Sequence, residues 1–202
     1  MILDRLKVFQ KFNIADWLSF YRIFSFPFLI MFIFLDWRLV FTCMLLISYS
    51  TDAIDGYLAR KLKMTSSRGS QLDSLGDQLT LVAGLLGLWF FEKDFIVENI
   101  GIIAIPMTLY VLQMIIALYK YGKTTAFHTY LAKLSAILQA FFILWLLFFG
   151  PVYWLFYVVI ILGIVETVEE IILIMLYKNW VKDIKGIYWA IADKRRLEET
   201  KI

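Results

Sequence analysis

At 202 residues, 61% of them hydrophobic and with a positive mean hydropathy, the chain is too apolar for an ordinary soluble domain and short enough to form one domain. Its formal charge of +3 is small and no basic run stands out, which argues against a nucleic-acid binder. The single cysteine, Cys43, excludes an intrachain disulfide, and its place in an apolar run predicts a buried, inert thiol.

From Met1 to Phe12, Ile2, Leu3, Leu6 and Phe9 fall to one side and Asp4, Arg5, Lys7 and Lys11 elsewhere, so residues 1–16 read as a short interfacial segment. A cleaved signal peptide is disfavoured, because the next apolar run is long, contains Arg22 and Pro27, and lacks a small-residue cleavage pattern. The predicted fold is all-α: a polytopic membrane core over 17–177 with six spans, flanked by interfacial helices at both ends of a single domain. The spans fall at Trp17–Leu35, Leu39–Arg60, Ser70–Phe91, Ile102–Tyr119, Tyr130–Phe149 and Trp154–Tyr177, each near the roughly 20 residues that cross a hydrocarbon core. The second span turns polar at Ser48, so its last turns must face protein or water. The sixth contains Glu166, Glu169 and Glu170, for which pairing with Lys133 or Arg22 is one reading and acceptor binding another.

The loops at 36–38, 92–101 and 150–153 hold only Arg38 and Lys93 as cations, whereas Arg5, Lys7, Lys11, Lys61, Lys63, Arg68, Lys120 and Lys123 fall on the other side with the basic tail. The positive-inside rule therefore places both termini in the cytoplasm. In the tail, 178–202, Trp180, Ile184, Ile187 and Ile191 recur at helical spacing opposite Lys182, Asp183 and Lys185, predicting an amphipathic helix.

The chemistry concentrates between Ser50 and Thr80. Asp52, Asp55 and Ala59 share one helix face at i, i+3 and i+7, flanked by Gly56 and Arg60; Gly69, Asp73 and Asp77 share another at i, i+4 and i+8. Two helices meeting along these faces would direct four carboxylates into one pocket, and their mutual repulsion calls for a bound cation or for protons. An all-oxygen donor set suits a hard ion such as Mg²⁺ or Mn²⁺. A divalent-cation or proton-coupled transporter also buries acids. Its sites, however, tend to lie near the bilayer midplane within repeated, interrupted helices, and no repeat is visible here.

These residues resemble the signature D-x2-D-G-x2-A-R-x8-G-x3-D-x3-D of the CDP-alcohol phosphotransferase family at all eight fixed positions. The resemblance implies a homodimeric enzyme of a cell membrane, with its active site cytoplasmic, that transfers a phosphatidyl group from CDP-diacylglycerol to an alcohol and releases CMP. It further implies two divalent ions held by Asp52, Asp55, Asp73 and Asp77, with Asp77 also the general base, and nucleotide contacts from Gly56, Ala59, Arg60 and Gly69. The stretch from Asn13 to Arg22 is similar to the family's N-x-x-N-x-L-T-x-x-R, Asp16 replacing the second Asn. That similarity assigns Asn13, Ser19 and Arg22 to the CDP-alcohol, with a snorkelling Arg22 as the alternative.

The best acceptor expectation is glycerol 3-phosphate, with inositol, inositol phosphate and serine as alternatives. The start of the fifth span resembles the G-K-x-K-T of phosphatidylglycerophosphate synthases, with Lys133 kept, Ala132 in place of the glycine and Ser135 in place of the second lysine. Arg68, Lys123 and Lys133 are the expected acceptor-binding cations. His128 reads as a loop residue or as part of the same anion-receiving rim.

Overall fold

The computed structural model describes residues 14–61 and 67–192, except the side chains of 14–16, 53, 55–61, 67–71, 73 and 74. The interfacial helix expected before Asn13 and the tail beyond 192 lie outside the described residues. The main helices are α1 (Ile14–Phe34), α2 (Arg38–Lys61), α3 (Ser67–Phe91), α4 (Lys93–Glu98), α5 (Ile100–Tyr121), α6 (Tyr130–Phe149) and α7 (Tyr153–Leu176). Among the described residues there is no strand, only an isolated bridge between Ala126 and Lys182.

Three stretches are long and apolar enough to cross a membrane, at Trp17–Phe34, Ile100–Tyr121 and Tyr130–Phe149, and Leu75–Phe91 is a shorter apolar helix. The chain is thus an all-helical membrane protein. Large apolar side chains such as Phe24, Leu39, Ile115, Ile137, Ile161 and Met175 are exposed on its helices, as a hydrocarbon solvent allows. Three helices mix this character with polarity: α2 becomes polar after Ile47, α3 has a polar first half in its sequence, and α7 carries its three glutamates in its second half.

The chain forms two compact units, Met1–Lys93 with Ile143–Gly150, and Asp94–Phe142 with Pro151–Ile202. In the first, α1 lies against α2 and α3, which also touch each other. Leu29 and Ile33 of α1, Phe41 and Leu45 of α2, Ala83 and Leu88 of α3, and Ile143, Leu146 and Leu147 of α6 are its buried apolar residues among those described. Gly87 admits this packing, since a Cβ there would overlap the Phe41 ring. At the opposite end from the motif, Arg38 donates through Nε to the Leu147 carbonyl at 2.8 Å and through Nη2 to the Leu146 carbonyl at 3.2 Å, and pairs with Glu92. One guanidinium thereby caps the orphan carbonyls of α6 and ties them to the start of α2 and the end of α3.

Cys43 corrects the expectation of a buried thiol. It is exposed on α2, on the same stripe as Leu39, Leu46 and Ile47.

The second unit packs α5 against α7. Phe95, Phe142 and Phe156 cluster with centroids 5.2–6.3 Å apart, and Ala117, Phe127, Leu173, Ile174, Ile184 and Ala190 form a second buried group. Helix α5 ends at Gly122, whose φ of 69° and N–H to Leu118 carbonyl bond are a left-handed C-cap. A connector over 123–129 leads to α6. The helix expected from Trp180 does not form there: 177–186 is irregular, and helix begins only at 187. Tertiary bonds win over the helical pattern. The N–H groups of Asp183 and Ile184 donate to the Ala126 and Phe127 carbonyls at 3.1 and 2.7 Å, and Tyr130 N–H donates to the Lys185 carbonyl at 3.1 Å.

Candidate functional site

Three helices of the first unit contribute to one cluster. Arg22 of α1 is 1% exposed, and its Nη1 meets Asp52 of α2 at 2.6 Å and also pairs with Asp77 of α3. A single nitrogen thus bridges carboxylates 25 residues apart in sequence, and it draws two oxygens of like charge together. Arg22 is turned into the protein, so the snorkelling alternative does not describe it.

The polar neighbours of Arg22 continue the arrangement. Ser19 lies one turn earlier with its hydroxyl 3.5 Å from Nη2. Ser25 donates to the Arg22 carbonyl at 2.9 Å, and its hydroxyl lies 3.4 Å from that of Ser48 on α2. Within the polar half of α2, Thr51 and Ser50 donate back to the Ser48 and Leu46 carbonyls at 2.8 and 2.7 Å, which satisfies hydroxyls that lipid would not.

Gly76 is a residue that the sequence reading missed. A Cβ there would lie 3.3 Å from both Cβ and Nε of Arg22, so the glycine is what lets the buried arginine stem cross α3. Its one sequence signal is its place between Asp73 and Asp77.

The electrostatics are lopsided. The guanidinium side chain is fully buried, whereas Asp52 and Asp77 side chains keep 46% and 48% of their surface open. Their oxygens retain room for a further ligand, and anionic oxygens in mutual proximity are the donors that hard divalent cations take. The residues present therefore fit such an ion. Among the described residues no set of three or more His, Cys, Asp or Glu side chains gathers at a point. The side chains of Asp55, Gly56, Ala59, Arg60, Arg68, Gly69 and Asp73, and all of Asn13, lie outside the described residues. The backbone carries Asp52, Asp55 and Ala59 on the uninterrupted α2, and Gly69, Asp73 and Asp77 on the uninterrupted α3, as their spacing requires.

In the second unit, Lys123 Nζ stands 3.8 Å from the centre of the Trp180 ring, and Lys133 Nζ lies 5.8 Å from that of Tyr130. His128 lies in the connector with a φ of 53°. Two of the three glutamates of α7, Glu169 and Glu170, find hydroxyl, amide and backbone donors where the sequence suggested cations. Glu170 Oε2 accepts from Gln113 Nε2 at 2.7 Å and from the Thr125 hydroxyl at 2.8 Å. Glu169 Oε2 accepts from the Thr129 hydroxyl at 2.7 Å, and its Oε1 accepts from Ile187 N–H at 3.2 Å.

Comparison with known proteins gives a consistent result. Residues 12–168 match the family model described as CDP-alcohol phosphatidyltransferase. A CDP-diacylglycerol–glycerol-3-phosphate 3-phosphatidyltransferase of Haemophilus influenzae is 36% identical over 80 residues, covering 38% of this chain and 43% of that protein. A protein of the same description from Sodalis glossinidius is 32% identical over 80 residues, covering 38% and 44%. The chain spans less than half the length of these two relatives. A third, from Wigglesworthia glossinidia brevipalpis, is 26% identical over 171 residues, covering 83% of this chain and 91% of its own.

Proposed function

Because this chain belongs to the CDP-alcohol phosphatidyltransferase family, we propose that it transfers the phosphatidyl group of CDP-diacylglycerol to glycerol 3-phosphate in phospholipid synthesis, releasing CMP. The observation that carries the reading is the convergence from three helices of Arg22 with Asp52 and Asp77, the first and last aspartates of a motif met at all eight positions. The acceptor rests on the similarity to relatives described as glycerol-3-phosphate phosphatidyltransferases.

The reaction's difficulties are anionic: a diphosphate must be held, and charge must move onto the leaving CMP while an acceptor hydroxyl loses its proton. Asp52, Asp55, Asp73 and Asp77 would hold two divalent ions, Mg²⁺ or Mn²⁺. When bound, these supply charge neutralisation at the diphosphate. Asp77 takes the proton from the acceptor hydroxyl. That oxygen bonds to the phosphatidyl phosphorus as the bond from this phosphorus to the bridging oxygen breaks, its electron pair leaving with CMP. Gly56, Ala59 and Gly69 give the nucleotide room, while Asn13, Ser19, Arg22 and Arg60 provide polar and cationic contacts for the CDP-alcohol. Arg68, Lys123 and Lys133 meet the phosphate of the acceptor.

We place six spans in the membrane, α2, α3 and α7 joining the three long apolar stretches of α1, α5 and α6, with both termini and the site in the cytoplasm of a homodimer in the inner membrane. The polarity of α2 and α3 is concentrated where the motif lies, which is how a span acquires carboxylates without exposing them to lipid. The experiment is release of CMP from CDP-diacylglycerol by purified protein with Mg²⁺ or Mn²⁺, comparing glycerol 3-phosphate with inositol, inositol phosphate and serine. Turnover with glycerol 3-phosphate is expected. A charge-assisted phosphate contact is worth about 1.5–3 kcal/mol, so Lys133→Ala should raise the apparent KM for that acceptor by roughly ten- to a hundredfold. Turnover of an uncharged alcohol in place of glycerol 3-phosphate would refute the acceptor and leave the phosphatidyl transfer standing.

A further inference from the structure

Glu169 and Glu170 lie just beyond the stretch that matches the family model. Their carboxylates sit on a helix that otherwise reads as a membrane span, yet the transfer chemistry gives them no part. What they hold is the connector between α5 and α6. Glu170 takes the hydroxyl of Thr125, two residues after Lys123, and Gln113 of α5 converges on both, its Nε2 lying 3.1 Å from the Thr125 hydroxyl. Glu169 takes the hydroxyl of Thr129, which is 0% exposed.

Thr129 is the N-cap of α6. Its hydroxyl oxygen accepts the Ala132 N–H at 3.1 Å, and its carbonyl accepts Lys133 N–H at 3.1 Å. The hydroxyl proton goes to Glu169 and a lone pair remains for the helix, so the two bonds are compatible and together fix the rotamer. The other oxygen of Glu169 accepts Ile187 N–H, next to Gly186, whose φ of 152° suits a residue without a Cβ and where a Cβ would press to 3.1 Å from Oε1. The segment so held bonds back to the connector through Asp183, Ile184 and Lys185. One carboxylate therefore pins the first turn of α6 and the chain that braces it, and Lys133 stands on that turn.

We propose that Glu169, acting through Thr129, is a positioning residue for Lys133 and hence for recognition of the acceptor's phosphate. This rests on the reading of Lys133 as an acceptor contact. A side chain as flexible as lysine gains selectivity for one anion only when its Cα and helix turn are fixed.

The test is a double-mutant cycle on the purified enzyme in detergent, with glycerol 3-phosphate titrated at saturating CDP-diacylglycerol. Thr129→Val keeps the branched shape and removes the hydroxyl. It is expected to raise the KM for glycerol 3-phosphate about tenfold, with the loss in KM rather than in kcat, and Thr129→Ser should restore it. Combined with Lys133→Ala, Thr129→Val should add less than about twofold, because the residue it positions is gone. Glu169→Ala should behave as Thr129→Val does. Multiplicative effects in the double variant, or an equal rise in the KM for CDP-diacylglycerol, would show a general structural role and overturn the proposal. If Thr129→Val does not fold, Glu169→Gln carries the same cycle, since an amide can satisfy only one of the two donors as an acceptor. A wild-type enzyme inert toward glycerol 3-phosphate would defeat the acceptor reading and this inference together, whereas an active one with multiplicative variants defeats this inference alone.

Discussion

Arg22 shows how much one residue can be asked to do in a membrane span. A lone guanidinium at that depth is expensive, and its partners are acids that would be expensive alone, so each justifies the other. The pairing also constrains substitution. Arg22→Lys keeps the charge but replaces a planar fork with a single ammonium, which cannot reproduce the contacts of Nη1 and Nη2 together. We expect it to lower kcat/KM by at least about tenfold, and Arg22→Ala to destabilise the fold as well. That destabilisation should stay below the roughly 3–5 kcal/mol of a fully buried pair, because Asp52 and Asp77 are half open to solvent. Thermal unfolding of Arg22→Ala with an unchanged midpoint would contradict this account. The acids divide by role: Asp52→Asn should weaken dependence on the divalent ion and on substrate together, whereas Asp77→Asn should chiefly abolish turnover, as read from CMP release across a metal titration.

The residues of this cluster were legible to different degrees. Asp52 and Asp77 were visible because they are carboxylates at helical spacing in an apolar chain, and Arg22 because it ends the first-span pattern that starts at Asn13. Gly76 was not, since its requirement comes from an arginine stem on another helix. The partners of Glu169 and Glu170 were likewise hidden, because threonine hydroxyls and a backbone N–H carry no spacing that distinguishes them from their neighbours. Asp55 and Asp73 lie on the expected helices.

At the scale of the helix, the ends decide more than the middles. The apolar runs foretold where helices lie to within about three residues, yet said nothing of how they terminate or which side meets protein. Helix α6 is the clearest case: Thr129 caps its start, and Arg38 from a distant part of the chain closes its end. Arg38 also answers an oddity of the charge pattern, being one of two cations on the sparsely charged side. It is engaged by Glu92 and two carbonyls. Arg38→Met would leave those carbonyls and Glu92 without the guanidinium, and should cost about 1–3 kcal/mol. Since Arg38 is 14 residues before Asp52, some 21 Å along the helix, KM values should hold while the unfolding temperature drops. A fall in acceptor affinity without loss of stability would point to coupling between the ends of α2. The tail makes the reverse point: Trp180 to Ile191 has the right periodicity for a helix, and bonds to the connector override it up to Gly186. Periodicity reports what a segment would do alone.

For the whole molecule, charge asymmetry is the strongest lever on orientation. A reporter placed at Ser66 or after Lys201 should be cytoplasmic, and one at Asp94 should lie on the other side of the membrane. Finding Ser66 outside would remove the motif from the compartment that supplies CDP-lipid and would overturn the mechanism along with the topology. The membrane character was readable from composition, and the all-helical class from the length of the apolar runs. The division into two compact units was not, because its boundary between Phe142 and Ile143 falls inside one continuous apolar helix and leaves no mark in the sequence.

The outward position of Cys43 has a practical side. With α2 spanning the bilayer as proposed, a sulfhydryl on the apolar stripe of Leu39, Leu46 and Ile47 faces lipid, out of reach of reagents confined to water. Because the chain has no other cysteine, the natural sequence is its own blank for water-soluble maleimides. Single cysteines introduced at positions 66, 94 and 201 can then be probed from either side of sealed vesicles without first stripping the protein of native thiols, while a lipid-soluble maleimide that labels the unmodified chain would register Cys43 from within the bilayer.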